Sequence, residues 1–310
     1  MRIRRRLSAA LMAVLVTGSA LAPAAGEAAG PMVVFGATGA TAAAAPVLVG
    51  AGDIAGCGTN SDRATARLMD HIPGTVFTLG DNVYPSGSAS EFRDCYEPTW
   101  GRHKARTRPA AGNHDYETSG AAPYFAYFGA AAGVPGHGWY SYDLGTWHIV
   151  VLNSDCSAIG GCGPGSPQVT WLRHDLAMHV GAHILAYWHH PLFSSGAHGP
   201  SPSVRTFWDV LYQAGAELVL NGHDHDYERF ARQDASGHLD NAHGIREFVV
   251  GTGGATLRSR ARDTRNSRAF RRVHGVLELT LRPDGYDWRF VPVGTTTWTD
   301  TGSTRTHAAP

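Results

Sequence analysis

Short apolar runs that stop at polar turns set the rhythm of this chain. Val47-Leu48-Val49 leads to Gly52-Asp53, and Val76-Phe77-Thr78-Leu79 leads to Gly80-Asp81. His183 to Trp188 ends at His189, and Glu217-Leu218-Val219-Leu220 ends at Asn221-Gly222-His223. Such runs are continuous rather than alternating, which predicts strands buried on both faces. Helical periodicity lies between them. Asp62 to His71 places Ala64, Leu68 and the following Ile72 on one side; Ser203 to Ala214 does the same with Val204, Phe207, Val210 and Leu211. Ser166-Pro167-Gln168 has the form of a capped helix start leading into Trp171, Leu172 and Leu176. Strand followed by helix, repeated, predicts an α/β protein with covered sheets. Trp139 to Leu152 predicts two strands around Gly145-Thr146. The later part is strand-rich, with Phe248 to Gly251, Val273 to Leu281 and Trp288 to Val293, and with Asp284-Gly285 as a hairpin turn. No internal repeat is visible.

Composition adds bounds. With 310 residues and 43% hydrophobic content, the chain can bury a full core. A formal net charge of zero gives no global pull toward nucleic acid or anionic lipid. Arg2, Arg4, Arg5 and Arg6, followed by the apolar stretch Leu7 to Leu21 and small residues at Ala22-Pro23-Ala24 and Ala28-Ala29, predict an export signal over residues 1–28. That stretch is too short and broken for a membrane span, so no membrane association is expected after cleavage, and the mature chain is expected outside the cell. Residues 29–45, rich in Ala, Gly and Thr, predict a flexible leader. Cys57, Cys95, Cys156 and Cys162 form an even set, which in an exported chain favours disulfides. Cys156 and Cys162 flank one Gly-rich loop and make a natural local pair, although four cysteines allow three connectivities.

The chemistry gathers at the ends of the apolar runs. Asp53, Asp81, Tyr84, Asn113, His189, His223 and His225 supply carboxylates, a phenol, a carboxamide and imidazoles. Singly, each is an ordinary turn, cap or core residue. Jointly they fall where parallel strands would deliver them to one rim. A carboxylate can bridge two cations, because each of its oxygens carries free lone pairs. The set therefore predicts a pair of metal ions with one shared ligand.

The ordered motifs Gly52-Asp53, Gly80-Asp81-Asn82-Val83-Tyr84, Gly112-Asn113-His114-Asp115, Trp188-His189-His190-Pro191 and Gly222-His223-Asp224-His225 resemble the calcineurin-like metallophosphoesterase superfamily. Within it they are most similar to the purple acid phosphatases. The extension Tyr227-Glu228-Arg229 strengthens this. Ala55 stands where most of the superfamily carries a histidine; the purple acid phosphatases also lack it and use the tyrosine. The resemblance implies a four-layer αββα sandwich of two mixed β-sheets flanked by helices. The pattern of elements along the chain places the catalytic domain over residues 46–294 and a polar tail over 295–310. The resemblance also implies that Asp53, Asp81, Tyr84 and His225 hold one ion, with Asp81 bridging to a second held by Asn113, His189 and His223. The first ion would be Fe(III) and the second Zn, Fe or Mn. A phenolate with two carboxylates is a hard anionic set suited to a trivalent ion; imidazole with carboxamide suits a borderline divalent one.

The activity implied is hydrolysis of phosphate monoesters, with a metal-bound hydroxide attacking phosphorus. That reaction needs acceleration approaching roughly 10²¹, whereas one general acid or base supplies about 10²–10⁴. Paired cations are suited to closing that gap. His114, next to Asn113, and His198, on a Gly-rich loop, are the expected proton donors to the leaving group. His190 is expected to point away, because an extended backbone alternates its side chains. The arginines from Arg258 to Arg272 follow Gly251-Thr252-Gly253-Gly254 and read either as a basic lip for small phosphorylated substrates or as a solvated loop. A phosphodiesterase or nucleotide-cleaving activity on the same metal pair is the alternative. Nucleic acid is not expected as a partner, since no basic patch interleaved with aromatics is evident.

Overall fold

The computed structural model describes residues 44–307. The expected export signal and nearly all of the expected leader lie outside the described residues. The apolar runs become strands as their continuity predicts, because each is covered on both sides. In Trp147–Val151 and the residue after it, Ile149 and Val151 face one core while Val150 and Leu152 face another; Leu185 and Tyr187 alternate with Ile184 and Ala186 in the same way.

Two mixed sheets result. One runs Thr301–Arg305, Gly285–Pro292, Gly275–Arg282, Val47–Ala51, Thr75–Leu79, Thr107–Ala110 from edge to edge, and its last three strands are parallel. The other runs Ser267–Arg271, Tyr227–Phe230, Arg246–Val250, Leu218–Asn221, His183–Tyr187, Trp147–Val151, Tyr140–Leu144, with four central parallel strands. Leu48, Phe77 and Leu279 of the first sheet share a core with Ile149, Leu185, Leu220 and Phe248 of the second. Helix Ser61–Met69 covers the first sheet through Ala66 and Met69. Helices Pro167–Met178 and Arg205–Gln213 cover the second through Val169, Leu172, Phe207 and Leu211. Helix, sheet, sheet, helix is the expected layering. Ser166 caps its helix as the sequence indicates, its hydroxyl accepting from the Val169 amide.

The segment from Thr295 is a correction. Polar in composition, it nevertheless carries the edge strand Thr301–Arg305, paired with Gly285–Arg289. Asp300 accepts hydrogen bonds from Tyr227 Oη and Arg229 Nε, both at 2.6 Å, and Trp298 packs against Tyr227 and Phe290. Backbone pairing and these anchors hold it on the fold, not an apolar stripe of its own. The arginine-rich stretch likewise contains a strand, Ser267–Arg271. Disulfides join Cys57 to Cys95 and Cys156 to Cys162. Among the described residues no helix is long and apolar enough to cross a membrane.

Candidate metal centre

Every parallel strand that carries a motif delivers it at its C-terminal end. Asp53 follows Val47–Ala51, Asp81 follows Thr75–Leu79, Asn113 follows Thr107–Ala110, His189 follows His183–Tyr187 and His223 follows Leu218–Asn221. The turns are knitted together: Asp53 N donates to Gly80 O at 3.0 Å, Ile54 N to Asp81 O at 2.9 Å, and Gly222 N to His189 O at 3.0 Å. Asp53, Asp81 and His223 all have positive φ, at 58°, 49° and 69°. Side chains other than glycine reach that region with strain, which clusters at functional sites. Gly112 packs so tightly under Asp81 that a Cβ there would meet Asp81 Oδ1 at 2.3 Å.

Four groups meet on one side. Tyr84 Oη lies 2.9 Å from Asp53 Oδ1, 3.0 Å from Asp81 Oδ2 and 3.2 Å from His225 Nε2. His225 Nε2 is 3.3 Å from Asp53 Oδ1. On the other side His189 Nε2 lies 3.1 Å from Asn113 Oδ1, 3.4 Å from Asp81 Oδ2 and 3.2 Å from His223 Nδ1. Asp81 is common to both. All seven expected ligands are thus brought together as two clusters sharing one carboxylate.

The donor set fits cations. His225 Nδ1 donates to Thr256 O at 2.9 Å and His189 Nδ1 to Leu79 O at 2.7 Å, which turns both Nε2 atoms inward. Facing them are carboxylate and amide oxygens, so acceptors crowd a buried space with few protons to share. Burial opposes charge on His189, but Asp81 and Asp53 outweigh it and lift the ring to about 9. Burial likewise opposes ionisation of Asp81, yet His189 and His114 hold it well below the ordinary carboxylate range. Burial, then the charges of Asp53 and Asp81, push the Tyr84 phenol well above its usual range. Carboxylate, phenol and amide oxygens gathered with inward-turned ring nitrogens are the ligand types that hold metal ions.

Around these clusters stand three more histidines. His114 N donates to Asp81 Oδ1 at 2.8 Å, its Nδ1 donates to Pro85 O at 2.6 Å, and its Nε2 is 4.0 Å from Asp81 Oδ2. Beneath its turn, the buried Asp115 accepts from Gly112 N at 2.9 Å and Asn82 Nδ2 at 3.0 Å. The His198 ring sits 4.4 Å from that of His223, on a loop held by Asp224, which accepts from His198 N at 2.7 Å and Gly199 N at 3.0 Å. Burial, then the charge of Arg258, lower the His198 pKa.

His190 corrects the sequence expectation. The chain bends at His189 and His190 instead of running extended, and the His190 ring lies 4.4 Å from His223. His189, His190 and His223 each bring a ring nitrogen within 4.8 Å of the others. Ser154 Oγ accepts from His190 N at 3.0 Å and lies 2.8 Å from His190 Nδ1. These two contacts fix the orientation of the His190 ring. The signal in the sequence was the doubled His189-His190 itself, masked by the assumption of alternation. At the last motif, Asp224 N donates to Gly222 O at 2.9 Å, and the turn there sends His223 to one cluster and His225 to the other.

The profile of the family described as Calcineurin-like phosphoesterase matches residues 47–227. Purple acid phosphatase 15 of Arabidopsis thaliana is 27% identical over 210 residues, which is 56% of this chain and 39% of that protein. Tartrate-resistant acid phosphatase type 5 of Mus musculus is 24% identical over 191 residues, 53% of this chain and 58% of that protein. This chain thus spans about half, or less, of the length of these relatives. Among solved structures, purple acid phosphatase PPD1 from yellow lupin (Lupinus luteus) seeds aligns with a TM-score of 0.68 at 17% identity, covering 85% of this chain and 54% of that one. GAP50, the anchor in the inner membrane complex of Plasmodium, aligns with a TM-score of 0.65 at 14% identity, covering 86% and 91%. These structures share the fold. The family profile covers more than half of the chain, and the protein belongs to the calcineurin-like phosphoesterase family.

Proposed function

We propose that this chain is an exported two-metal phosphatase that hydrolyses phosphate monoesters. The observation that supports it most is the meeting of Tyr84, Asp53, Asp81 and His225 on one side of Asp81 and of Asn113, His189 and His223 on the other. Tyr84, Asp53, Asp81 and His225 would hold Fe(III), a hard ion suited to phenolate and carboxylate; Asp81, Asn113, His189 and His223 would hold Zn, Fe or Mn. Such ions, when bound, lower the pKa of water to about 7 and neutralise charge on the phosphoryl group.

The remaining work belongs to side chains. His114 keeps its Nδ1 proton on Pro85 O, so Nε2 is the free position, and in the doubly protonated ring it is the atom that would hand a proton to the leaving oxygen. His198, over His223, is the second donor. His190, its ring held by Ser154, would orient a phosphoryl oxygen. The two disulfides and the basic, apolar N-terminal sequence support export. Small phosphorylated molecules are the substrates the site chemistry favours.

Rates on p-nitrophenyl phosphate and bis-p-nitrophenyl phosphate test the reading. Faster release from the monoester is expected. Faster release from the diester would move the assignment to a phosphodiesterase, and no release from either would set this chain beside non-enzymatic proteins of the fold.

A further inference from the structure

The basic stretch after Gly254 returns to the rim of the site and is tied to it by backbone hydrogen bonds. Gly253 N donates to Gly52 O and Ala255 N to Asp53 O, both at 2.9 Å. Arg258 N donates to the carbonyl of His225 at 2.9 Å. Ala261 N and Arg262 N both donate to Ser195 O, at 2.9 and 3.2 Å, on the loop that carries His198. The Arg262 guanidinium lies against Gly199, where a Cβ would meet Nη1 at 1.4 Å; only glycine leaves it that place. The next residue back is His198. Arg262 therefore stands beside His198, and Arg258, tied by its backbone to His225, is close enough for its charge to act on the same histidine.

Neither is neutralised. Arg260 has Asp263 at 3.4 Å, and among the described residues no carboxylate lies within 4.0 Å of Arg258 or Arg262. Both are exposed. Guanidinium forks recognise phosphate oxygens bidentately. From these positions we propose that Arg258 and Arg262 form a second anion subsite beside His198, which selects phosphate esters that carry a further phosphate group. This deepens the phosphomonoesterase reading and rests on it.

The test compares kcat/KM for fructose 1,6-bisphosphate and fructose 6-phosphate. The wild type is expected to favour the bisphosphate by about tenfold, mainly through KM. That preference falls toward parity in the Arg258→Gln/Arg262→Gln double variant and partly survives in Arg262→Lys. Raising NaCl from about 0.05 to about 0.5 M should weaken the bisphosphate reaction more than the monophosphate one. Metal content, measured alongside, shows whether the centre is intact in the variants. An unchanged ratio in a double variant with wild-type metal content overturns the subsite, as does a wild type with no preference. Failure of the wild type to hydrolyse p-nitrophenyl phosphate is a different result: it removes the phosphatase reading and this subsite with it.

Discussion

His189 donates its Nδ1 proton to the carbonyl of Leu79 across 2.7 Å. That bond joins the end of one sheet's strand to a side chain delivered by the other, and it aims Nε2 at Asp81 and Asn113. His189 is therefore oriented before any ion arrives. His189→Ala is expected to lose the second metal equivalent and keep the first. Its activity should drop by more than the roughly 10–100-fold typical of disturbing a ligand's supporting hydrogen bond. Elemental analysis of the purified variant, with p-nitrophenyl phosphate kinetics, checks this; wild-type metal content would remove His189 from the ligand set.

Gly112→Ala tests the close approach beneath Asp81. The added methyl would meet Asp81 Oδ1 and Asp81 N, each at 2.3 Å, so the bridging carboxylate must move. Metal affinity should fall by about 10–100-fold, with about 1–3 kcal/mol of overpacking destabilisation. Metal titration and urea unfolding read the two effects separately.

Ser154→Ala leaves every expected ligand in place but releases the His190 ring from its fixed orientation. The expected change is a rise in KM and a fall in kcat/KM of about tenfold, roughly the value of one charge-assisted hydrogen bond. Metal content should not change. Unaltered kinetics would show that the His190 orientation has no part in substrate positioning.

A pH effect on stability is expected far from the centre. His148 is buried, with Nδ1 2.8 Å from Asp143 Oδ1 and Nε2 2.8 Å from Asp175 Oδ2. Burial alone would lower its pKa, but hydrogen bonds to Asp175 and Asp143 outweigh this and raise it. The folded state thus binds the proton more tightly than the unfolded chain. That contribution is complete below the ordinary value of about 6.5 and fades as pH rises through the raised one. Melting temperature should fall more between about pH 6 and pH 9 in the wild type than in His148→Gln. Parallel slopes would contradict the pairing.

Much of this was legible in the sequence because buried parallel strands cannot hide: Val47–Ala51, Thr75–Leu79, His183–Tyr187 and Leu218–Asn221 are apolar on both faces and end in the motifs. The strand Tyr227–Phe230 sets two adjacent charges between two aromatic residues, a pattern with no period of two, and was visible as a motif but not as a strand. Thr301–Arg305 has no apolar face; its place depends on Tyr227 and Arg229, some seventy residues earlier, reaching Asp300. Likewise, alternation along an extended chain misplaced His190, since the bend there is set by Ser154 and Asn221, whose Nδ2 donates to Trp188 O at 3.0 Å. Contacts between distant segments decided each of these, and local pattern does not record them.

The central claim is a metal pair with Tyr84 on one of its members. Elemental analysis and a visible spectrum of the purified protein, compared with Tyr84→Phe, test it most directly. The account predicts two metal equivalents per chain, iron among them, and a visible absorption band that vanishes in Tyr84→Phe. A colourless protein, or a Tyr84→Phe variant with the same spectrum and metal content as the wild type, would contradict it.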